Sequence, residues 1–226
     1  MPVPSGTFKH IFSIGTCCFT SAVIKTFFPS QKRGPFDWLS IPAHEAIPYL
    51  LEHRCWPMIV ERRAKGCIVH LGPHDAKEVH PRTLCVTKRR VERFNKALDS
   101  GESVLLILLG HFDGKEIFGG RILPETISRI EAALRKAYPL CNYTLLVVNE
   151  RIVSRPVEER YSMIWKNERV ATATVMEDRN RGRVSLGAIG ATEMLYFCRW
   201  GETSFYRKDW TYFLTHVGAL TDSVEP

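Results

Sequence analysis

The strongest constraint on the fold is a pair of uninterrupted apolar segments, VLLILLG (104–110) and YTLLVVN (143–149). A strand with one face in water alternates apolar and polar residues, whereas a strand covered on both faces is apolar throughout. An amphipathic stretch with apolar residues at helical spacing precedes each segment. Those apolar positions are Val91, Phe94, Leu98, Ile127, Ile130 and Leu134. Both segments are therefore predicted to be strands buried in a largely parallel sheet.

The remaining elements fit the same alternation. Ile11–Gly15 is predicted to be a first strand, buried and central, and the apolar spacing after it predicts a helix that ends at Pro29. Further strands are expected at 66–72 and 170–175, and further helices at 43–51, 87–98, from 124 onward and at 205–216. We predict the α/β fold class, as a single three-layer domain with a largely parallel central sheet. This domain spans residues 1–226, with a core at 8–216 and short flexible termini.

Composition limits the class of protein. A chain with 45% hydrophobic and 24% charged residues is typical of a globular protein with a substantial core. The net charge of +7 permits anionic ligands such as phosphates, but no aromatic-plus-basic motif accompanies the scattered basic clusters, which disfavours nucleic acid. The longest apolar segment is too short for a membrane span, and the N-terminus lacks the apolar segment of a signal peptide. Seven cysteines without a CxxC pair indicate reduced thiols and a cytoplasmic location.

The segment Gly15–Cys18 joins the first predicted strand to its helix. In open parallel sheets, ligands bind at the carboxyl ends of the strands. A cysteine at a helix N-terminus lies near the positive end of the helix dipole, which favours the thiolate, and the free N–H groups there can hold an oxyanion. Free cysteines are also among the most buried residue types, so a purely structural role is the alternative.

Several ordered motifs resemble a known family. SIGTCC (13–18), PFDW (35–38), His74-Asp75, RRVERF (89–94) and the apolar strand after it follow the order seen in a family of papain-like cysteine peptidases. The resemblance covers residues 11 to 110 and depends mainly on PFDW. It places Cys18, rather than Cys17, at the cysteine position of the family.

The resemblance implies a Cys/His/Asp constellation and a cysteine-dependent, peptidase-like hydrolase. Cys18 would be the nucleophile, His74 the general base, and Asp75 or Asp37 the group that orients the histidine. The alternating pattern predicts an α/β fold, so the fold of papain itself is not expected. Asp37 has a second interpretation, in which its carboxylate binds backbone N–H groups of a turn while Phe36 anchors the loop.

Other residues complete the candidate site. The predicted substrate-binding residues are Gly15, Thr16, Cys17 and Trp38, with backbone N–H groups around Thr16–Cys18 as the oxyanion site. His70 and His111, each at the end of a predicted strand, are weaker candidates for the base than His74. Trp38 has a core position as its alternative.

No cofactor or metal is predicted. Gly15 stands alone after the first strand, so the dinucleotide fingerprint is absent, and the glycine-rich segment 182–190 lacks the ending of a phosphate loop. The HExxH motif does not occur, and Gly72 and Pro73 interrupt the helical spacing of His70 and His74.

Three hypotheses about function stay open. The first is the hydrolase. The second is an acyltransferase in glycan modification that uses an anionic acyl donor such as acyl-coenzyme A. The third is a non-catalytic binding module, since a fold alone does not determine activity. The substrate is accordingly a peptide, an acyl group or a glycan of unspecified identity.

Overall fold

The helices and strands follow the apolar pattern of the sequence. A computed structural model describes residues 8–14, 19–37, 46–55, 58–63, 66–71, 81–110, 122–153, 161–178 and 204–220. The strands are β1 (His10–Ser13), β2 (Met58–Arg63), β3 (Gly66–Leu71), β4 (Ser103–Gly110), β5 (Asn142–Val153), β6 (Tyr161–Trp165) and β7 (Val170–Asp178). The helices are α1 (Phe19–Phe27), α2 (Ala46–Glu52), α3 (Pro81–Asp99), α4 (Pro124–Ala137) and α5 (Ser204–His216).

A five-stranded sheet has the order β1-β4-β5-β7-β6. The pairs β1/β4, β4/β5 and β5/β7 are parallel, and β6 pairs with β7 in the antiparallel sense. The predicted α/β class with a largely parallel sheet is therefore confirmed. The prediction that the first strand is central is wrong, because β1 is the terminal strand of this order among the described residues. The apolar residues of β1 indicate that helices cover both of its faces. They do not indicate whether one strand or two strands pair with it.

Side chains of the sheet alternate between two hydrophobic clusters. On β4, Val104, Leu106 and Leu108 join residues of α2, α3 and α4 in one cluster. Leu105, Ile107 and Leu109 join residues of α1 and α5 in the other. This alternation is what the period of two along a strand requires when helices cover both faces. The three-layer description and the single domain over residues 1–226 stay predictions.

Aromatic side chains pack α3 against β1 and the turn at residues 34–37. Phe94 of α3 is fully buried and makes edge-to-face contacts with Phe12 and Phe36, at centroid distances of 5.1 and 5.9 Å. Gly34 lies so close to Phe12 that a Cβ at that position would be 2.9 Å from the Phe12 ring. Glycine is therefore needed for the turn to approach β1.

A clamp of polar groups joins the end of α2 to α3 and α4. The guanidinium of Arg54 donates to both carboxylate oxygens of Asp99, at 3.2 and 2.5 Å, and to the carbonyl of Ala137 at 2.8 Å. It also lies over the Tyr138 ring, 4.7 Å from its centroid. Arg54 has a φ of 56°, in the left-handed region that non-glycine residues seldom adopt. These contacts offset the cost of that conformation.

Two strands, β2 and β6, were not expected from the pattern. The segment predicted as a strand at 66–72 is β3, and it pairs with β2 in a separate antiparallel two-stranded sheet. α3 was predicted from Thr87, but it begins at Pro81. No helix in the described part of the chain is long and apolar enough to cross a membrane.

Phe94→Ala tests the aromatic packing. Removing this fully buried ring is expected to lower the free energy of unfolding by about 3–5 kcal/mol, because a cavity replaces its contacts. Urea denaturation measures the effect. Leu140→Ala is the control, since Leu140 is 75% exposed, and it should change stability by less than about 0.5 kcal/mol. Equal stability of the two variants would contradict this packing.

Candidate functional site

Two of the predicted site residues, Asp37 and His70, lie within the described residues. Outside them lie Gly15, Thr16, Cys17, Cys18, Trp38, His74, Asp75 and His111. His70 belongs to β3, where its backbone is opposite Ile59 of β2. The site is therefore defined here by the elements that border it.

The two ends of the cysteine-containing segment are held by β1 and α1. β1 ends at Ser13, and the N–H of Ile14 donates to the carbonyl of Ile107 of β4 at 2.9 Å. α1 begins at Phe19, the residue directly after Cys18. The hydroxyls of Ser13 and Thr20, both fully buried, share a hydrogen bond of 2.5 Å. This bond ties the end of β1 to the first turn of α1, so only residues 15–18 separate two anchored points.

Asp37 is a buried carboxylate that joins α1 to the turn at residues 34–37. Its Oδ1 accepts a hydrogen bond from the Ser21 hydroxyl at 3.2 Å, and its Oδ2 accepts one from the Gly34 N–H at 2.8 Å. The side chain of Phe36 is fully buried beside it. The turn interpretation of this motif is therefore confirmed for Asp37 and Phe36. Ser21 lies in the first turn of α1, so Asp37 also holds the helix end that follows Cys18.

Burial raises the pKa of Asp37 above its ordinary value, although several groups act in the opposite direction. The Gly34 N–H, the Ser21 hydroxyl and the positive charges of Arg90 and Arg33 all favour the ionised form. Arg90 of α3 also donates to the backbone carbonyl of Asp37 at 3.3 Å. One residue thus connects α1, the turn and α3.

A second polar contact lies beside the carboxyl end of β4, at Asn149 of β5. The side-chain amide of Asn149 accepts from the Ile122 N–H at 2.8 Å and donates to the Ile122 carbonyl at 3.2 Å. A Cβ at Gly110 would lie 2.5 Å from the Asn149 oxygen, so glycine leaves room for this amide. Sequence reasoning did not identify Asn149. The signal was present, because a polar residue ends the apolar run YTLLVVN at the carboxyl edge of the sheet.

Two other cysteines are buried structural residues, which is the alternative to a catalytic role for Cys18. Cys55 and Cys141 are free and buried, and burial raises the pKa of both thiols, that of Cys141 to about 12. At neutral pH these thiols stay protonated and inert. Among the described residues, no group of three or more His, Cys, Asp and Glu side chains could hold a metal ion.

Comparisons with known proteins leave the family open. No family model matches the chain, no curated protein matches it, and no solved structure matches its fold. The resemblance to papain-like cysteine peptidases therefore stays a prediction from the motifs, and the site has to be judged from its own chemistry.

Asp37→Asn tests the effect of burial on this carboxyl. A raised pKa in the folded state means that ionising Asp37 weakens folding, so its contribution is greatest at acid pH and falls as the pH rises. Asparagine does not titrate. We expect the stability difference between wild type and Asp37→Asn to shrink as the pH rises above the ordinary pKa of an aspartate.

Urea denaturation of both proteins across that pH range measures the difference. Other titrating groups with shifted pKa values, such as Glu52 and Glu102, are present in both proteins, so their effects cancel. A difference that grows with pH would show that hydrogen bonds and nearby cations outweigh burial.

Proposed function

We propose that this chain is a cysteine-dependent hydrolase in which Cys18 is the nucleophile. The observation that carries the proposal is the start of α1 at Phe19, beside the carboxyl end of β1 in a parallel sheet. Cys18 directly precedes this helix in the chain, and a helix N-terminus favours the thiolate. The motifs SIGTCC and PFDW support the same assignment.

In the proposed reaction, the Cys18 thiolate attacks the carbonyl carbon of the substrate. Backbone N–H groups around Thr16–Cys18 hold the oxyanion, and protonated His74 gives its proton to the leaving group. Water then attacks the acyl-thioester, and His74 takes the proton from this water. The acid product leaves and the thiolate is restored.

Asp37 takes a positioning role in this proposal. Both of its carboxylate oxygens accept hydrogen bonds within the turn and from α1, which supports a role in holding the helix rather than in orienting the base. Asp75, which follows His74 in the sequence, is assigned as the orienter. Gly15, Cys17 and Trp38 keep their assignment to substrate binding.

Acyl transfer is the second candidate, and it has its own supporting observation. Arg90 and Arg93 of α3 donate to backbone carbonyls of the turn at residues 33–37, which brings positive charge to the turn that contacts α1. An anionic acyl donor would suit such a position. A cytoplasmic location belongs to either proposal, and the free thiols of Cys55 and Cys141 support it.

Alkylation with iodoacetamide tests the nucleophile. At about pH 6, we expect Cys18 to react roughly threefold to tenfold faster than a free cysteine, because more of it is thiolate. Cys55 and Cys141 serve as internal controls, since burial keeps both protonated. Peptide mapping by mass spectrometry gives the rate at each position, and His74→Ala should slow only Cys18.

A reactive ester distinguishes catalysis from mere reactivity. p-Nitrophenyl acetate should release p-nitrophenol in a burst and leave an acetyl group on the Cys18 peptide. Cys18→Ser should abolish both, whereas Lys25→Gln, at an exposed position of α1, should keep them. Labelling of Cys18 no faster than free cysteine, together with no acetyl adduct, would overturn the hydrolase proposal.

A further inference from the structure

The motif RRVERF in α3 contains residues that the proposed function does not use. Phe94 belongs to the core, but Arg89 is exposed and Arg90 and Arg93 are half-buried. Positions 89 and 93 are four apart and positions 90 and 93 three apart, so their side chains leave neighbouring parts of the helix surface. Three guanidinium groups therefore project from about one turn of α3.

The turn at residues 33–37 lies against these arginines. Arg93 donates to the Arg33 carbonyl at 2.7 Å, and Arg90 donates to the Asp37 carbonyl at 3.3 Å. Each contact uses one N–H of a guanidinium that has five. Within the described part of the chain, the other N–H groups of Arg90 and Arg93 have no hydrogen-bond partner. We call Arg89, Arg90 and Arg93 the arginine face.

Negative charge offsets this face only in part among the described residues. No carboxylate there lies within 4 Å of Arg89, Arg90 or Arg93, although Glu92 is on the same helix. Burial lowers the pKa of Arg90, and the charges of Arg33, Arg93 and Arg89 lower it further. Asp37 acts in the opposite direction, but its carboxylate is buried and bound to Ser21 and Gly34. A cluster of like charges that is offset only in part is costly unless an anion joins it.

We propose that the arginine face binds the phosphate group of a small molecule. Guanidinium groups pair with phosphate through two parallel hydrogen bonds, which suits side chains whose N–H groups are still available. The surroundings favour a small ligand over a macromolecule. Among the described residues, the nearby aromatic side chains Phe12, Phe36 and Phe94 are buried and cannot stack on bases. The exposed large apolar side chains of the described residues lie on other elements, which disfavours a lipid surface. Those side chains are Tyr49, Leu123, Leu140 and Ile164.

Isothermal titration calorimetry with inorganic pyrophosphate, at constant ionic strength, tests the site on the whole chain. We expect saturable binding by wild type and a loss of affinity of about tenfold or more in Arg89→Gln/Arg93→Gln. The matched control is Lys25→Gln/Arg129→Gln, which removes the same charge from exposed positions on α1 and α4 and should keep the affinity within about twofold. Since the readout is equilibrium binding, failure of the hydrolase proposal would not affect this result.

A second pair of substitutions covers the case in which the glutamine variant fails to fold. Arg89→Lys/Arg93→Lys keeps the charge and loses the paired donors, so we expect a loss of about threefold to tenfold. Absence of binding by wild type would overturn the proposal, as would an equal loss in the control. Tighter, arginine-dependent binding of a single-stranded oligonucleotide or of phosphatidylserine vesicles would also overturn it, in favour of nucleic acid or membrane.

Discussion

Complete burial of β4 is the constraint on which the rest of the structure depends. The side chains from Val104 to Leu109 are all fully buried, and they point alternately to opposite faces of the sheet. Burying one such side chain stabilises the fold by roughly 1.5–3 kcal/mol, so both faces need helices that cover them. α3 and α4 meet one face, and α1 and α5 meet the other. Parallel neighbours β1 and β5 then bring their carboxyl ends to the same edge as that of β4.

Toward that edge, polar side chains follow the apolar runs of β1 and β5, and each has a partner in the chain. Ser13 shares a hydrogen bond with Thr20, and Asn149 binds the backbone of Ile122. The carboxylate of Asp37 accepts hydrogen bonds from Ser21 of α1 and from the Gly34 N–H of its own turn. These bonds satisfy polar groups that would otherwise be buried without partners, which would cost about 1–3 kcal/mol each. The bonds of Ser13 and Asp37 also hold the start of α1 in place, and a preorganised helix end is what an oxyanion site requires.

The sequence predicted elements whose signal is local. β4, β5 and the start of α4 at Pro124 follow from apolar runs and from proline chemistry. The prediction that β1 is a central strand was wrong. Strand order depends on contacts between distant residues, which leave no local signal in the sequence. β2 was missed since MIVERR turns from apolar to charged after three residues. Turn chemistry predicted the backbone bond of Asp37, but its bond to Ser21 joins residues 16 apart and has no local signature. The roles of Cys18, His74 and Asp75 stay predictions.

The arginine face and the cysteine would act on different parts of the proposed reaction. A thiol at the start of α1 would serve hydrolysis and acyl transfer equally, so its reactivity does not separate them. A peptide carries no charge at the bond to be broken and has no general use for a cluster of guanidinium groups. A phosphate-bearing acyl donor does, because binding energy from a remote group can orient the reacting carbonyl. Arg90 contacts Asp37, and Asp37 contacts Ser21 in the first turn of α1. A phosphate held on this face would therefore lie two contacts from the helix that follows Cys18, which would favour acyl transfer over peptide hydrolysis.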